Sequence, residues 1–448
     1  RDYAKAGNVY DAVIRNAWIS SDYAYFQKAM IAGISKPAEK IRQLQQLEKM
    51  YPKSGLVPDA SMEMANTYLA DEKFQEAIPF LTKVIKDPAS EALKPKAYLN
   101  AGIAYYNLNN NNEALKQFND LLQQYPNSPE ADEALDNARA IYLEAGRSNE
   151  YVAFAKKMGR DISSSQQDSL AYAEAELQLS NGNFTAALQR FDAYLAKYPE
   201  GRYSIEANYY KGEIYLNKKD WANAAAAYGA VADRVPNRYG EKSLLQAARL
   251  YFFDLKQYDK ATTYYSRLKE FASTDENKLE AARGLLRSQY QSQKWNEASA
   301  NAKELLLMKG AGTDDKLLAN MVLGRAAQED KQYDLAISYY KSAAGASKGE
   351  LSAEARYGIA WCQFQQEKYK EAEKSAFEVV NKNGSYEAWV TRAYLLLGDI
   401  YFKQEDYFNA KATYQSVVEN ASIPAVKEEA QRKLNEATEA EKQHASKN

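Results

Sequence analysis

The chain has 448 residues, and its 58 lysine and arginine residues nearly balance its 60 aspartate and glutamate residues, which gives a net charge of −2. This balance argues against a nucleic-acid-binding protein, which normally carries a basic excess on one face. The single cysteine, Cys362, and the single histidine, His444, exclude a disulfide scaffold, a metal site built from cysteine and histidine, and a catalytic relay that needs an internal imidazole. We therefore expect no catalytic residue, no metal ion and no cofactor.

Tyrosine dominates the aromatic content, with 36 tyrosines against 14 phenylalanines and 5 tryptophans, whereas glycine and proline are scarce at 20 and 11 residues. This composition is typical of a helical protein whose helices pack through tyrosine rings. No uncharged apolar run approaches the roughly 18–20 residues that a membrane-spanning helix needs. The sequence therefore predicts no transmembrane segment.

The first 21 residues have the pattern of the second helix of a preceding structural unit. Gly7 would form a turn, and the helix would open near Tyr10. The chain starts with Arg1 and has neither an initiator methionine nor a signal peptide. We therefore predict that residues 1–21 are the remnant of a repeat in a longer protein, and that any membrane anchor would lie before Arg1.

Residues 22–420 repeat with a period close to 37 residues. An aromatic residue is followed three positions later by alanine in eight places, and the last seven of these alanines are 36 to 38 residues apart. The pairs are Phe74 with Ala77, Phe184 with Ala187, Trp221 with Ala224, Tyr258 with Ala261, Trp295 with Ala298, Tyr333 with Ala336, Tyr369 with Ala372, and Tyr407 with Ala410. A sustained period of this length indicates a stack of repeated supersecondary units.

Each period contains the pattern of two amphipathic helices. Most units have a glycine or alanine twelve residues before the recurring alanine, and many have an aromatic ring nine residues before it and another four residues after it. Small residues mark places where two helices approach closely, and the rings would fill the space beside them. Pro126, Pro199 and Pro236 would end second helices, because proline cannot continue a helix. Alternation of β-branched residues is missing, so the predicted fold class is all-α.

This arrangement resembles the tetratricopeptide repeat, in which small residues and rings at the same spacing join two antiparallel helices. The resemblance covers residues 22–420, with about three more residues in each unit than the 34 of the family. It implies a right-handed superhelical solenoid of about ten antiparallel helix pairs. Each pair would depend on its neighbours, because one pair cannot bury its own apolar face.

Three second-helix endings indicate a narrower group. Tyr51-Pro52, Tyr125-Pro126 and Tyr198-Pro199 are each followed by polar or charged residues. This ending is similar to that of bacterial cell-envelope tetratricopeptide proteins, which include outer-membrane assembly lipoproteins and Tol-Pal coordinators. The resemblance implies a periplasmic or outer-membrane-associated protein. The endings stop after Pro236, and a cytoplasmic location stays open.

The C-terminal region is expected to close the array. Residues 421–442 are highly charged and predict a capping helix with a polar outer face. Residues 443–448 predict a disordered tail, since chain termini are poorly ordered unless other parts of the protein hold them.

The resemblance also implies a binding surface, because ligands of this family contact the first helices that line the concave groove. Spacing from the recurring alanines gives the predicted partner-binding residues Arg283, Arg287, Tyr290, Arg325, Tyr357, Trp361, Phe364 and Phe402. The rings would anchor a partner segment, and the arginines would attract an acidic stretch. The structural alternatives are local ion pairs of the arginines, for example with Glu280, and packing of the rings between helices.

Two functions are compatible with these observations. The first is a non-enzymatic scaffold that binds protein or peptide partners in its groove during assembly or maintenance of the bacterial cell envelope. The second is a regulatory or substrate-positioning superhelix of a longer envelope enzyme that acts on peptidoglycan. The residues before Arg1 would distinguish the two, because a lipoprotein signal with more repeats favours the scaffold and a folded catalytic domain favours the enzyme.

Overall fold

The computed structural model describes residues 2–346 and 349–445, and within those ranges it is helical with no β-strand. Two compact units follow each other along the chain, Arg1–Ala207 and Asn208–Asn448. The predicted all-α solenoid of tetratricopeptide-like helix pairs is confirmed.

The first unit contains eleven α-helices and the start of a twelfth. These are α1 (Tyr3–Arg15), α2 (Ser21–Gly33), α3 (Pro37–Met50), α4 (Val57–Ala70), α5 (Phe74–Lys86), α6 (Lys94–Asn107), α7 (Asn111–Gln124), α8 (Pro129–Glu144), α9 (Ser148–Lys157), α10 (Ser164–Ser180) and α11 (Phe184–Lys197). A short 3-10 helix, Pro88–Ser90, lies between α5 and α6. The next helix, α12 (Ser204–Asn217), begins in the first unit and ends in the second.

The second unit continues the same alternation. Its helices are α13 (Trp221–Ala232), α14 (Gly240–Arg249), α15 (Tyr258–Phe271), α16 (Asp275–Gln291), α17 (Trp295–Leu307), α18 (Thr313–Glu329), α19 (Tyr333–Ala346), α20 (Glu350–Gln365), α21 (Tyr369–Lys382), α22 (Glu387–Lys403), α23 (Tyr407–Asn420) and α24 (Pro424–Ala445). A π-helical turn, Leu250–Asp254, continues α14. From α2 to α23, even-numbered helices are first helices and odd-numbered helices are second helices, which gives eleven pairs in the described ranges.

The chain ends differ in part from the prediction. The predicted remnant 1–21 contains α1, and α24 begins three residues into the predicted capping segment 421–442. The predicted disordered tail begins too early, because residues 443–445 form the end of α24. The ring of His444 lies 5.7 Å from the ring of Tyr407, and this contact holds the end of the helix. Residues 446–448 lie outside the described part of the chain.

A recurring backbone turn joins the two helices of most pairs. Two residues before the recurring aromatic position, the backbone adopts positive φ of 53° to 63° at Glu72, Asn109, Lys219, Lys256, Gln293, Lys331, Glu367 and Glu405. In the α4–α5 turn, the N–H of Glu72 donates to the carbonyl of Leu69, and the N–H of Lys73 donates to the carbonyl of Tyr68. This is a Schellman motif, which closes the end of the first helix and fixes where the second begins.

The rings four residues after the recurring alanines form the centre of the core. At most 1% of the surface is exposed in each of five such rings, Phe118, Phe191, Tyr228, Tyr265 and Tyr340. Phe118, Tyr228 and Tyr340 lie against the glycines that the period places on their first helices, which are Gly102, Gly212 and Gly324. A Cβ atom on Gly212, for example, would lie 2.8 Å from the ring of Tyr228, so the close approach requires glycine there.

One core cluster in the second unit brings three helices together around Tyr340 of α19. The ring of Tyr340 lies between Gly324 of α18 and Gly358 of α20, and its hydroxyl donates to the side-chain oxygen of Gln328 at 2.8 Å. Cys362 belongs to the same cluster and is fully buried. Burial raises the pKa of the Cys362 thiol to about 12, so it is protonated and unreactive in the folded chain.

Candidate partner-binding site

The eight predicted binding residues lie on the first helices of four successive pairs in the second unit. Arg283, Arg287 and Tyr290 are on α16, Arg325 is on α18, Tyr357, Trp361 and Phe364 are on α20, and Phe402 is on α22. On α16 and α20 the spacing of four and three residues places three side chains on one face of the helix. We call the surface that these eight residues form the first-helix face.

Arg283 is held by an ion pair between successive first helices. Its Nε and Nη2 atoms donate to the two carboxylate oxygens of Asp315 at 2.6 and 2.8 Å, and its Nη1 atom lies 3.4 Å from Glu280. The Asp315 side chain is only 4% exposed and also accepts from the N–H of Gly312 at 3.0 Å. Both oxygens of the carboxylate therefore accept hydrogen bonds, and the Arg283 guanidinium links α16 to the start of α18.

This pair makes the stability of the second unit depend on pH. The hydrogen bonds from Arg283, together with the Gly312 N–H, hold the pKa of Asp315 below its usual range. The stabilisation is therefore present above the ordinary aspartate pKa of about 4 and is lost as pH falls through the lower folded-state value. We expect Asp315→Asn to lower the unfolding free energy at neutral pH and to flatten its decline below about pH 4. Urea denaturation over a pH series measures this, and a variant profile as steep as the wild-type profile would contradict it.

The exposed neighbour Asp314 offers the matched control. It lies in the same first turn of α18 but forms no hydrogen bond or ion pair in the described part of the chain. Asp314→Asn should therefore retain the wild-type profile.

Arg325 belongs to a second network that joins three first helices. Its Nε and Nη2 atoms donate to one carboxylate oxygen of Glu354 on α20 at 3.0 and 2.6 Å. The hydroxyl of Tyr290 on α16 donates to the other oxygen of Glu354. Burial raises the pKa of Tyr290, and the adjacent Glu354 adds to the effect, so the hydroxyl stays protonated. Glu354 is 6% exposed, and the network therefore sits inside the array.

Arg287 differs from the other two arginines. It is partly exposed on α16, and among the described residues it has neither a hydrogen-bond acceptor nor an ion-pair partner. It lines a cavity of about 610 Å³ together with Tyr290, Phe252, Leu317, Leu318 and Leu351. Of the three predicted arginines, Arg287 is therefore the one whose guanidinium is available to a partner.

The predicted aromatic anchors are partly buried by contacts within the array. The ring of Trp361 lies 6.0 Å from Tyr333, that of Phe364 lies 6.0 Å from Tyr369, and that of Phe402 lies 5.7 Å from Tyr407. The ring of Tyr357 lies 5.7 Å from Trp389, and burial raises the pKa of Tyr357 to about 12. Packing between helices therefore uses much of each ring, and the remaining exposed part is what a partner would contact.

The sequence pattern missed three residues that shape this surface. Glu354 and Asp315 bind the arginines from the next first helix, 29 and 32 residues downstream of Arg325 and Arg283. An acid slightly less than one period after an arginine is a signal that could have revealed both pairs. Phe252 occupies a ring position that the pattern assigns to the core, nine residues before Ala261. In the structure it lies in the π-helical turn after α14 and lines the cavity. The sequence pattern gives no sign of this turn.

The described ranges provide neither a metal-binding cluster nor a membrane-spanning helix. Residues 2–346 and 349–445 contain no cluster of three histidine, cysteine, aspartate or glutamate side chains arranged to hold a metal ion. None of the helices in these ranges combines the length and the apolar character that crossing a bilayer requires.

Three solved structures are similar to the chain at low sequence identity. The tetratricopeptide domain of P58(IPK) is 17% identical, with 99% of each chain covered and a TM-score of 0.27. A tetratricopeptide repeat protein from Parabacteroides merdae is 17% identical over 60% of this chain and 98% of its own, with a TM-score of 0.31. Yeast Tom70 is 14% identical over 95% of this chain and 96% of its own, with a TM-score of 0.33. No curated protein matches the chain.

Family models give the decisive comparison. Three models, each described as tetratricopeptide repeat, match residues 44–138, residues 172–239 and 321–388, and residues 392–422. Together they cover more than half of the chain, and all of them lie within the array of helix pairs described above. The chain belongs to the tetratricopeptide repeat family.

Proposed function

We propose that this protein-interaction scaffold holds a segment of a partner protein on the first-helix face of its second unit. One observation carries the proposal. Arg287 is a partly exposed guanidinium that forms no ion pair among the described residues, and it lines a cavity whose other walls include Leu317, Leu318 and Leu351. A cation beside apolar walls is suited to a partner that supplies both a hydrogen-bond acceptor and apolar side chains.

The rings of α20 would extend the contact along the same face. Tyr357, Trp361 and Phe364 are spaced by four and three residues, and each leaves part of its ring exposed. Aromatic rings already held by neighbours lose little conformational entropy when a partner binds. These three residues, with Phe402 on α22, are therefore the proposed apolar anchors, and Arg287 is the proposed polar contact.

The proposed setting is the bacterial cell envelope, at the periplasmic side or the outer membrane. The support is the Tyr-Pro ending of second helices, which resembles that of envelope members of the family. Tyr51, Tyr125 and Tyr198 each stand at the C-terminal cap of their helix, directly before proline. The ending therefore works as a helix stop in all three pairs.

Site-specific cross-linking tests the docking surface and the setting together. A photo-reactive phenylalanine analogue in place of Phe364 should cross-link a partner from an envelope extract and not from a cytosolic extract. The same analogue in place of Phe377 is the control, because that ring is exposed at 38% on a second helix of the same unit. Equal cross-linking at both positions, or capture only from cytosol, would contradict the proposal.

Trp361→Ala should then weaken binding of the captured partner. A central aromatic anchor contributes ~2–4 kcal/mol, which corresponds to a loss of affinity of about thirtyfold or more. Phe377→Ala should leave the affinity unchanged. Circular dichroism of each variant shows whether it is folded, and a folded Trp361→Ala variant with wild-type affinity would remove this ring from the binding surface.

A further inference from the structure

The cavity beside α16 contains one arginine, Arg287, that forms no hydrogen bond or ion pair in the described part of the chain. Asp314 and Glu350 lie in the first turns of α18 and α20, where the free N–H groups of a helix stabilise negative charge. Glu354 is already bound by Arg325 and Tyr290. In the described part of the chain Glu354 is therefore held by an ion pair, whereas Arg287 forms none.

Part of the remaining cavity wall is apolar. Leu317 and Leu318 are 5% and 6% exposed, and Leu351 and Phe252 form further parts of the wall. Its volume of about 610 Å³ is within the range of ~300–1,000 Å³ that is usual for ligand pockets. Burying apolar side chains here would remove nonpolar surface from water on both partners, which favours binding.

The exposed carboxylates limit how much negative charge the cavity accepts. Asp314 and Glu350 are both exposed at its edge, so a second or third acid next to the first would meet like charge. The guanidinium of Arg287 can bind one carboxylate through two parallel hydrogen bonds. One acid among apolar residues therefore fits the cavity better than the acidic stretch that the sequence predicts.

Resting on the proposed function, we infer that the cavity selects a partner segment in which one glutamate or aspartate is flanked by large apolar side chains. Arg287 binds the carboxylate, and the wall around Leu317, Leu318 and Leu351 receives the neighbouring side chains. An acidic run is rejected by Asp314 and Glu350. The selection is thus made by one arginine and two edge carboxylates.

Three short fluorescent peptides test this selection on the full chain by fluorescence polarisation. They share a glycine-serine frame and differ only in the central triplet, which is Leu-Glu-Phe, Leu-Gln-Phe or Glu-Glu-Glu. We expect Leu-Glu-Phe to bind more tightly than the other two. Arg287→Ala should reduce its affinity about tenfold to a hundredfold, the range for a lost charge-assisted hydrogen bond, and leave Leu-Gln-Phe unchanged.

Two further variants separate charge from geometry. Arg287→Lys keeps the charge but loses the planar pair of donors, so it should also weaken Leu-Glu-Phe. Lys316→Ala removes an exposed cation of α18 that does not line the cavity, and it should bind like the wild type.

Distinct results overturn distinct claims. If Leu-Glu-Phe and Leu-Gln-Phe bind equally and Leu351→Ala weakens both, the cavity is a docking site without acid selection, so this inference is wrong while the proposed function stands. Tighter binding of Glu-Glu-Glu, or no detectable binding of any of the three peptides, also overturns the inference. The cross-linking at Phe364 decides the proposed function independently of these peptides.

Discussion

Tyr340→Ala should lower the free energy of unfolding of the second unit by ~3–5 kcal/mol, the usual cost of deleting a fully buried aromatic side chain. The ring has no exposed surface and fills the space between Gly324 of α18 and Gly358 of α20. Neither glycine has a side chain that could move into the cavity. The substitution also removes the hydroxyl that donates a hydrogen bond to the side-chain oxygen of Gln328 at 2.8 Å.

Labelling of the Cys362 thiol measures this effect, because the thiol is buried in the same cluster and is the one cysteine of the chain. The variant should react much faster than the wild type under native conditions, and urea denaturation should give the loss in free energy. Phe408→Ala is the matched control. Its ring is 74% exposed, so the expected change is within about 0.5 kcal/mol. A Tyr340→Ala variant as stable as Phe408→Ala would contradict the prediction.

The glycine side of the same contact provides an independent check. A Cβ atom on Gly358 would lie 2.7 Å from the Tyr340 ring, closer than real Cβ contacts. Gly358→Ala should therefore cost ~1–3 kcal/mol through overpacking. Combined with Tyr340→Leu, it should cost less than the sum of the two single changes, because the smaller side chain relieves the contact.

Arg325→Ala should lower the free energy of unfolding by ~3–5 kcal/mol, the cost of leaving a buried charge without its partner. Glu354 would retain only the hydroxyl of Tyr290 in a site where its own exposure is 6%. The double variant Arg325→Met with Glu354→Leu should recover most of the loss, because two apolar residues of similar size remove the uncompensated charge. Urea denaturation of the single and double variants measures both changes.

An exposed ion pair of similar geometry is the control for Arg325. Arg432 and Glu436 on α24 are 2.6 Å apart, as are Arg325 and Glu354, but their side chains are 62% and 55% exposed. Arg432→Ala should therefore cost less than about 1 kcal/mol. If Arg325→Ala costs no more than Arg432→Ala, the Glu354 network does not stabilise the array.

These networks change the interpretation of the predicted arginines. Arg283 and Arg325 hold successive first helices together, so their charges are already used within the second unit. Arg287 lies between them in the sequence and is the arginine left for a partner. A surface that the spacing assigns to binding is thus divided between stabilising the array and contacting a ligand.

The repeat architecture could be predicted from the sequence because its causes are local and periodic. Alanine and glycine at fixed spacing mark the close approach of helices, and rings such as Tyr228 and Tyr340 recur four residues after the alanine and fill the core. Each unit packs against its neighbours in the same way, so the same residue types recur at the same positions. The number of pairs and the all-α class follow from that period.

The role of each side chain on the first-helix face was decided by the tertiary structure. The recurring alanines align Arg283, Arg287 and Arg325 by period, but they do not show that Asp315 and Glu354 reach the first and the last of these from the next helix. The π-helical turn that brings Phe252 to the cavity is equally absent from the pattern. Periodicity specifies where a residue lies on its helix, whereas charge pairing and exposure depend on the side chains that the neighbouring helices bring within a few ångströms.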